Sequence, residues 1–198
     1  TFSGANLTNL NATNLASGTV PDARFPATLP AISGANLTNL PASGITEADQ
    51  WKLVTGFTGN AVPIASNLVR VPNSGWGKLG TGMSQSSGIF TFPSTGVWLV
   101  QYRLNTYLNG QNLYGSAMLQ VTTNNSSYAN IASGEQGITN ASANLYANTL
   151  VESLIDVTNT TNVKVRFGVD VENSSTISIG SNSATYTNFM FIRLGDSV

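Results

Sequence analysis

One stretch constrains this chain more than any other: Val163-Lys164-Val165-Arg166-Phe167-Gly168-Val169-Asp170-Val171-Glu172. Odd positions carry Val, Val, Phe, Val and Val, while even positions carry Lys, Arg, Gly, Asp and Glu. A period of two puts the apolar side chains on one face of a strand and the polar ones on the other. That is a half-buried strand of an antiparallel sheet with one wet face. Phe90 and Phe92 share a face of an earlier strand, and Trp98, Val100, Tyr102 and Leu104 share a face of the next. Leu113–Val121 and Leu145–Val157 supply further strands, with Thr122–Ser127 and Gly180–Ser183 as polar loops. Thr185–Leu194 is apolar on both faces, with Phe189 and Phe191 on one and Met190, Ile192 and Leu194 on the other. In an antiparallel sandwich such a strand needs a second partner, and a subunit interface supplies one. Many short strands separated by turn signals predict an all-β fold, a sandwich or jelly roll.

Composition narrows what such a sandwich does. The chain has 198 residues and neither cysteine nor histidine. Disulfide frameworks, thiolate chemistry and Ser-His-Asp or Cys-His nucleophilic sites are therefore excluded. The absence of cysteine suits assembly in a reducing cytoplasm. Charged residues make up 9% of the chain, against about 25% in ordinary domains. With a net charge of −1 there is no electrostatic footprint for nucleic acid or an anionic membrane. Polarity comes from Asn, Ser and Thr, and the 23 Asn favour turns over helix interiors. No apolar run reaches the length of a transmembrane helix, so no membrane insertion is expected, and no signal peptide is read. A start at Thr1 rather than Met is expected of a processed or recombinant piece of a longer chain.

Residues 1–44 are built differently. Ser-Gly-Ala-Asn-Leu-Thr-Asn-Leu occurs at Ser3–Leu10 and again at Ser33–Leu40, the mark of a repeat architecture. Leu7, Leu10, Leu15, Val20, Phe25, Leu29, Ile32, Leu37 and Leu40 follow one another at three to five residues, matching neither a heptad nor strand alternation. Pro21, Pro26, Pro30 and Pro41 forbid a continuous helix. One such chain cannot bury its aliphatic row against itself. Three chains around a common axis can, with Leu7, Leu10, Leu37 and Leu40 at the threefold interface. A low-complexity linker is the competing reading, and the regular Leu, Val and Ile placement favours the shaft. Ile45–Trp51 reads as a neck, either a helical turn capped by Thr46 with Glu47 and Asp49 in its first turn, or a simple turn. The expected organisation is a stalk over residues 1–44, a neck over 45–52 and a head over 53–198.

Two resemblances sharpen this. Phe90, five residues, then Gly96-x-Trp98-x-Val100-x-Tyr102 resembles the signature of the complement q-subcomponent head, a relative of tumour necrosis factor. Trp98 stands where that signature has Tyr, and Val100 where it has Phe. Thr185–Ile192 is similar to the family's final strand. The resemblance implies a trimeric jelly roll that binds ligands and has no catalytic activity. Asn6–Arg24, in turn, resembles the repeats of bacteriophage tail and head fibres, which are trimeric shafts with receptor-binding heads. Stalk and head thus imply the same oligomer by separate routes.

The expectation is a non-enzymatic homotrimeric fibre or spike segment of a virion. It would join other virion proteins through its N-terminal side and touch a host-surface glycan or protein. A secreted complement-head-like binding module, or a capsid-decorating fibre with no receptor role, is the alternative. Candidate interface residues in the head are Tyr102, Phe189 and Phe191. Candidate ligand-binding residues are Trp76, on the Gly-rich loop Asn73–Gly77, and Tyr128; an aromatic such as Trp76 stacks on a sugar or folds back onto the sandwich. Glu152 with Asp156, and Asp170 with Glu172, share strand faces, which suggests paired-acid chemistry. Lys164 and Arg166 beside the second pair favour a solvated charged face. Asp170 and Glu172 are too few for a calcium site, and no cofactor, metal or nucleic acid is expected. The Asn125-Ser126-Ser127 and Asn173-Ser174-Ser175 triplets are chance sequons in so Asn-rich a chain.

Overall fold

The computed structural model describes residues 44–72, 75–140 and 142–197. The stalk expected over residues 1–44, with Leu7, Leu10, Leu37 and Leu40, falls outside these except for Gly44. The described residues form strands and no helix: β1 (Ala48–Leu53), β2 (Phe57–Thr58), β3 (Leu68–Arg70), β4 (Ser84–Ser86), β5 (Ile89–Thr91), β6 (Gly96–Asn109), β7 (Asn112–Thr122), β8 (Ala129–Ile138), β9 (Asn144–Val157), β10 (Lys164–Val171), β11 (Ile177–Ser178) and β12 (Asn188–Gly195).

They make two antiparallel sheets. In the first, of seven strands, β9 pairs with β6 along its whole length, from Gly96↔Val157 to Asn109↔Asn144. The other edge of β6 is shared by β12, opposite Val97–Arg103, and β11, opposite Thr106 and Tyr107. From β12 the sheet continues through β1 to β3, and from β11 to β2. The second sheet runs β4-β5-β10-β7-β8. The chain therefore crosses between layers several times, as a jelly roll requires.

Alternation fills the space between the layers. Val163, Val165, Phe167, Val169 and Val171 are buried, as their period of two predicts, and so are Phe90, Phe92, Trp98, Val100 and Leu104. Tyr102, Phe189 and Phe191, expected at a subunit interface, lie instead at the centre of this single-chain core and are fully buried. Register explains it: Tyr102 pairs with Phe189, and Val100 with Phe191, on the inward face of the first sheet. From the second sheet Phe167 approaches Phe189 at 4.5 Å between ring centroids, and Phe90 approaches Phe191 at 5.1 Å. Nothing of these rings remains for a second subunit. The outward face of β12 belongs to Met190, Ile192 and Leu194.

The neck is also corrected. No helical turn forms at Ile45–Trp51, because β1 begins at Ala48, between β12 and β3. The acidic residues that suggested a helix start have tertiary partners. Glu47 accepts the backbone N–H groups of Thr81 and Gly82, at 3.0 and 2.9 Å. Asp49, buried, accepts bonds from Trp51 Nε1 at 2.9 Å, Arg70 Nε at 2.9 Å and the Met83 N–H at 2.7 Å. The loop residue Gly80 has a φ of +71°, and a Cβ there would collide with the Glu47 carboxylate.

Candidate functional site

The two outward faces of the sandwich differ. On the second sheet, Lys164 stands beside Thr122, Arg166 beside Gln120 and Asp170 beside Ser116, a polar face on which Thr122 and Ser116 are buried and the others half-buried. On the first, the outward side chains fall into rows set by strand register. Ile192, Leu99 and Leu154 form one row with Ala48; Gln50, Met190, Gln101 and Glu152 form the next; Asn188, Arg103 and Leu150 follow. Then come Asn105 and Asn148, whose amides bond at 2.8 Å, and finally Ile177, Tyr107 and Tyr146. Leu154 is 61% exposed and Leu150 48%. This face thus carries exposed aliphatics in rows, with polar side chains between them.

Of the two aromatic nominees, Trp76 is 46% exposed. It lines a cleft of about 300 Å³ over the middle of this banded face, together with Gln50, Gln101, Arg103, Leu150 and Asn188. Tyr128 belongs to the other layer. The Arg166 guanidinium lies 4.0 Å over its ring and bonds Gln120 at 2.7 Å. Partial burial raises the Tyr128 phenol, against an opposing pull from the Arg166 charge. Trp76 and Tyr128 therefore do not share a site.

The paired acids are not brought into a groove. Glu152 accepts a bond from Gln101 at 2.6 Å, and Asp156 is exposed at the end of β9. Glu172 accepts the Leu113 N–H at 3.2 Å. Lys164 and Arg166 share a face with Asp170 but form no ion pair with it; among the described residues the ion pairs are Arg70–Asp49 and Arg193–Asp196. Arg166 is held by Gln120 and Tyr128 instead. No cluster of three or more potential metal ligands occurs among the described residues.

Sequence reasoning missed the pair Tyr107 and Tyr146. Their rings are 5.5 Å apart and tilted by 38°, and Tyr146 is 70% exposed. Each sits at an outward position of its own strand, so alternation places both on a wet face. Only the β6–β9 register shows that they meet.

Neither a family model nor a curated protein matches this chain. Among solved structures it is similar to murine APRIL, with a TM-score of 0.52 over 75% of this chain and 98% of that one, at 10% sequence identity. The likeness establishes the fold: a jelly roll of the tumour-necrosis-factor type.

Proposed function

We propose that this chain is a non-enzymatic fibre or spike segment of a virion, whose head assembles as a homotrimer and attaches to a host surface. The observation that carries the reading is the banded apolar face of the seven-stranded sheet. Self-association covers Ile192, Leu99, Leu154 and Leu150 at once, and each fully buried leucine contributes about 2 kcal/mol. The similarity of fold to murine APRIL supports a binding module over an enzyme. The repeats at Ser3–Leu10 and Ser33–Leu40 support a fibre. Three heads on one shaft raise weak single-site affinity through avidity.

The test is light scattering of the purified chain, followed by incubation with host cells while adhesion and released sugar are both measured. A trimer that adheres without releasing sugar is expected. A folded monomer at micromolar concentration sinks the assembly reading, and released oligosaccharide sinks the non-enzymatic one. A trimer that does not adhere leaves a capsid-decorating role.

A further inference from the structure

We propose that the tyrosine pair Tyr107–Tyr146 and the cleft beside it form a binding site for a neutral saccharide. The inference rests on the adhesive reading above and gives it a location and a ligand class. Tyr107 forms one wall of a cleft of about 360 Å³, completed by Phe57, Thr58, Ile177 and the backbone at Gly56 and Gly180. That backbone is bare of necessity: a Cβ at Gly56 would lie 2.7 Å from the Ser178 carbonyl oxygen. The cleft therefore has an aromatic side, a short polar side chain and peptide groups within reach.

Three observations select the ligand. No charged residue lines the cleft, so nothing there compensates a charged ligand for its lost hydration. The aromatic shelf is tilted and exposed, and a pyranose presents an apolar C–H face that fits such a ring. Neither phenol hydroxyl has a hydrogen-bond partner among the described residues, which leaves both free for sugar hydroxyls.

Position agrees. β1 opens at Ala48 beside Ile192, and Ser197 bonds the Val157 carbonyl at 3.3 Å, so the described chain enters and leaves the sandwich at one end. From Leu99, in that terminal row, β6 runs eight residues to Tyr107, roughly 26 Å of extended chain. The hydrogen-bonded Asn105–Asn148 row separates the tyrosines from the apolar bands. The site thus lies at the end of the seven-stranded sheet away from Ala48 and Ser197, beyond the surface assigned to self-association.

The experiment applies the intact protein, Tyr146→Ala, Tyr146→Phe and, on the other sheet, Lys164→Ala to a printed array of neutral, sialylated, uronic and sulfated oligosaccharides, with light scattering on each. Binding is expected on neutral glycans, reduced about ten-fold or more by Tyr146→Ala, less by Tyr146→Phe, which keeps the ring and loses the hydroxyl, and unchanged by Lys164→Ala. The mass of every variant should equal that of the parent. Binding to acidic glycans alone, binding unchanged in Tyr146→Ala, or no binding at all overturns the proposal. So does dissociation of Tyr146→Ala, which would make Tyr146 an interface residue. A monomeric parent that still binds neutral glycans would overturn the trimer while leaving the site standing.

Discussion

The hydroxyl of Tyr102 is carried into the middle of the sandwich by a ring stacked on Phe189 at 5.1 Å, and it finds no hydrogen-bond partner there. Burial alone pushes its phenol well above the ordinary value of 10.0. An unsatisfied buried hydroxyl costs about 1–3 kcal/mol, whereas Phe keeps the ring contacts. Tyr102→Phe is therefore expected to raise Tm at neutral pH by about 2–4 °C per kcal/mol recovered, as calorimetry would read. The sign of the pH effect follows. Below pH 10 the phenol is protonated in both states. As pH climbs from there toward the raised folded value, only the unfolded chain releases the proton. Stability then falls by up to about 1.4 kcal/mol per pH unit. Tyr102→Phe should flatten that alkaline loss, and an unchanged slope would assign it to other groups.

At the scale of elements, Asp49 ties three pieces of chain together: β1, β3 through Arg70, and the loop before β4 through the Met83 N–H. Removing the carboxylate strands an indole N–H and a backbone N–H and leaves the Arg70 guanidinium with only the Met83 carbonyl and the Trp51 ring. Arg70 is partly exposed, so Asp49→Ala is expected to cost about 3 kcal/mol, read as a lower urea midpoint. A loss within about 0.5 kcal/mol would place it among ordinary surface substitutions. The same cluster shows where the sequence is silent. Thr46, Glu47 and Asp49 carry a local helix-start signal, but Thr81 and Gly82, which bond Glu47, and Arg70 and Met83, which bond Asp49, are more than twenty residues away, and distance along the chain hides them. Strands β6, β7, β9, β10 and β12 were legible because each carries large apolar residues at a period of two. β8 was not. Its sequence, Ala-Asn-Ile-Ala-Ser-Gly-Glu-Gln-Gly-Ile, is small, polar and mostly exposed, and only its pairing with β7 makes it a strand. Trp98, Val100 and Phe167 were readable as core from one strand each. Which face of β12 looks inward was not, since both faces are apolar and the choice is settled by Phe167 and Phe90 across the layer.

The described residues present one polar broad face and one banded with aliphatics, and the proposed assembly rests on that contrast. Leu154→Glu puts a charge into the first apolar row while leaving the buried core of the chain untouched. Loss of three buried leucines per trimer removes about 6 kcal/mol before the charge is counted. The expected result is a folded monomer, with unchanged far-ultraviolet dichroism and about one third of the parent mass by light scattering. A trimer of parental mass would mean that the subunits meet elsewhere.

β1, the first strand of the head, pairs along five positions with β12, the last, from Ala48↔Ile192 to Lys52↔Asn188. This pairing has a consequence for synthesis. A nascent chain emerging from the ribosome cannot complete the seven-stranded sheet until β12 is free, because β1 and β6 both pair with it. Topologies dominated by such distant pairings fold slowly. The aliphatic bands and open strand edges of the unfinished sheet are exposed meanwhile, on neighbouring nascent chains at once. Polysomes would then hold these sticky surfaces close together, so a cell making this protein in quantity depends on chaperones during translation more than the final fold would suggest.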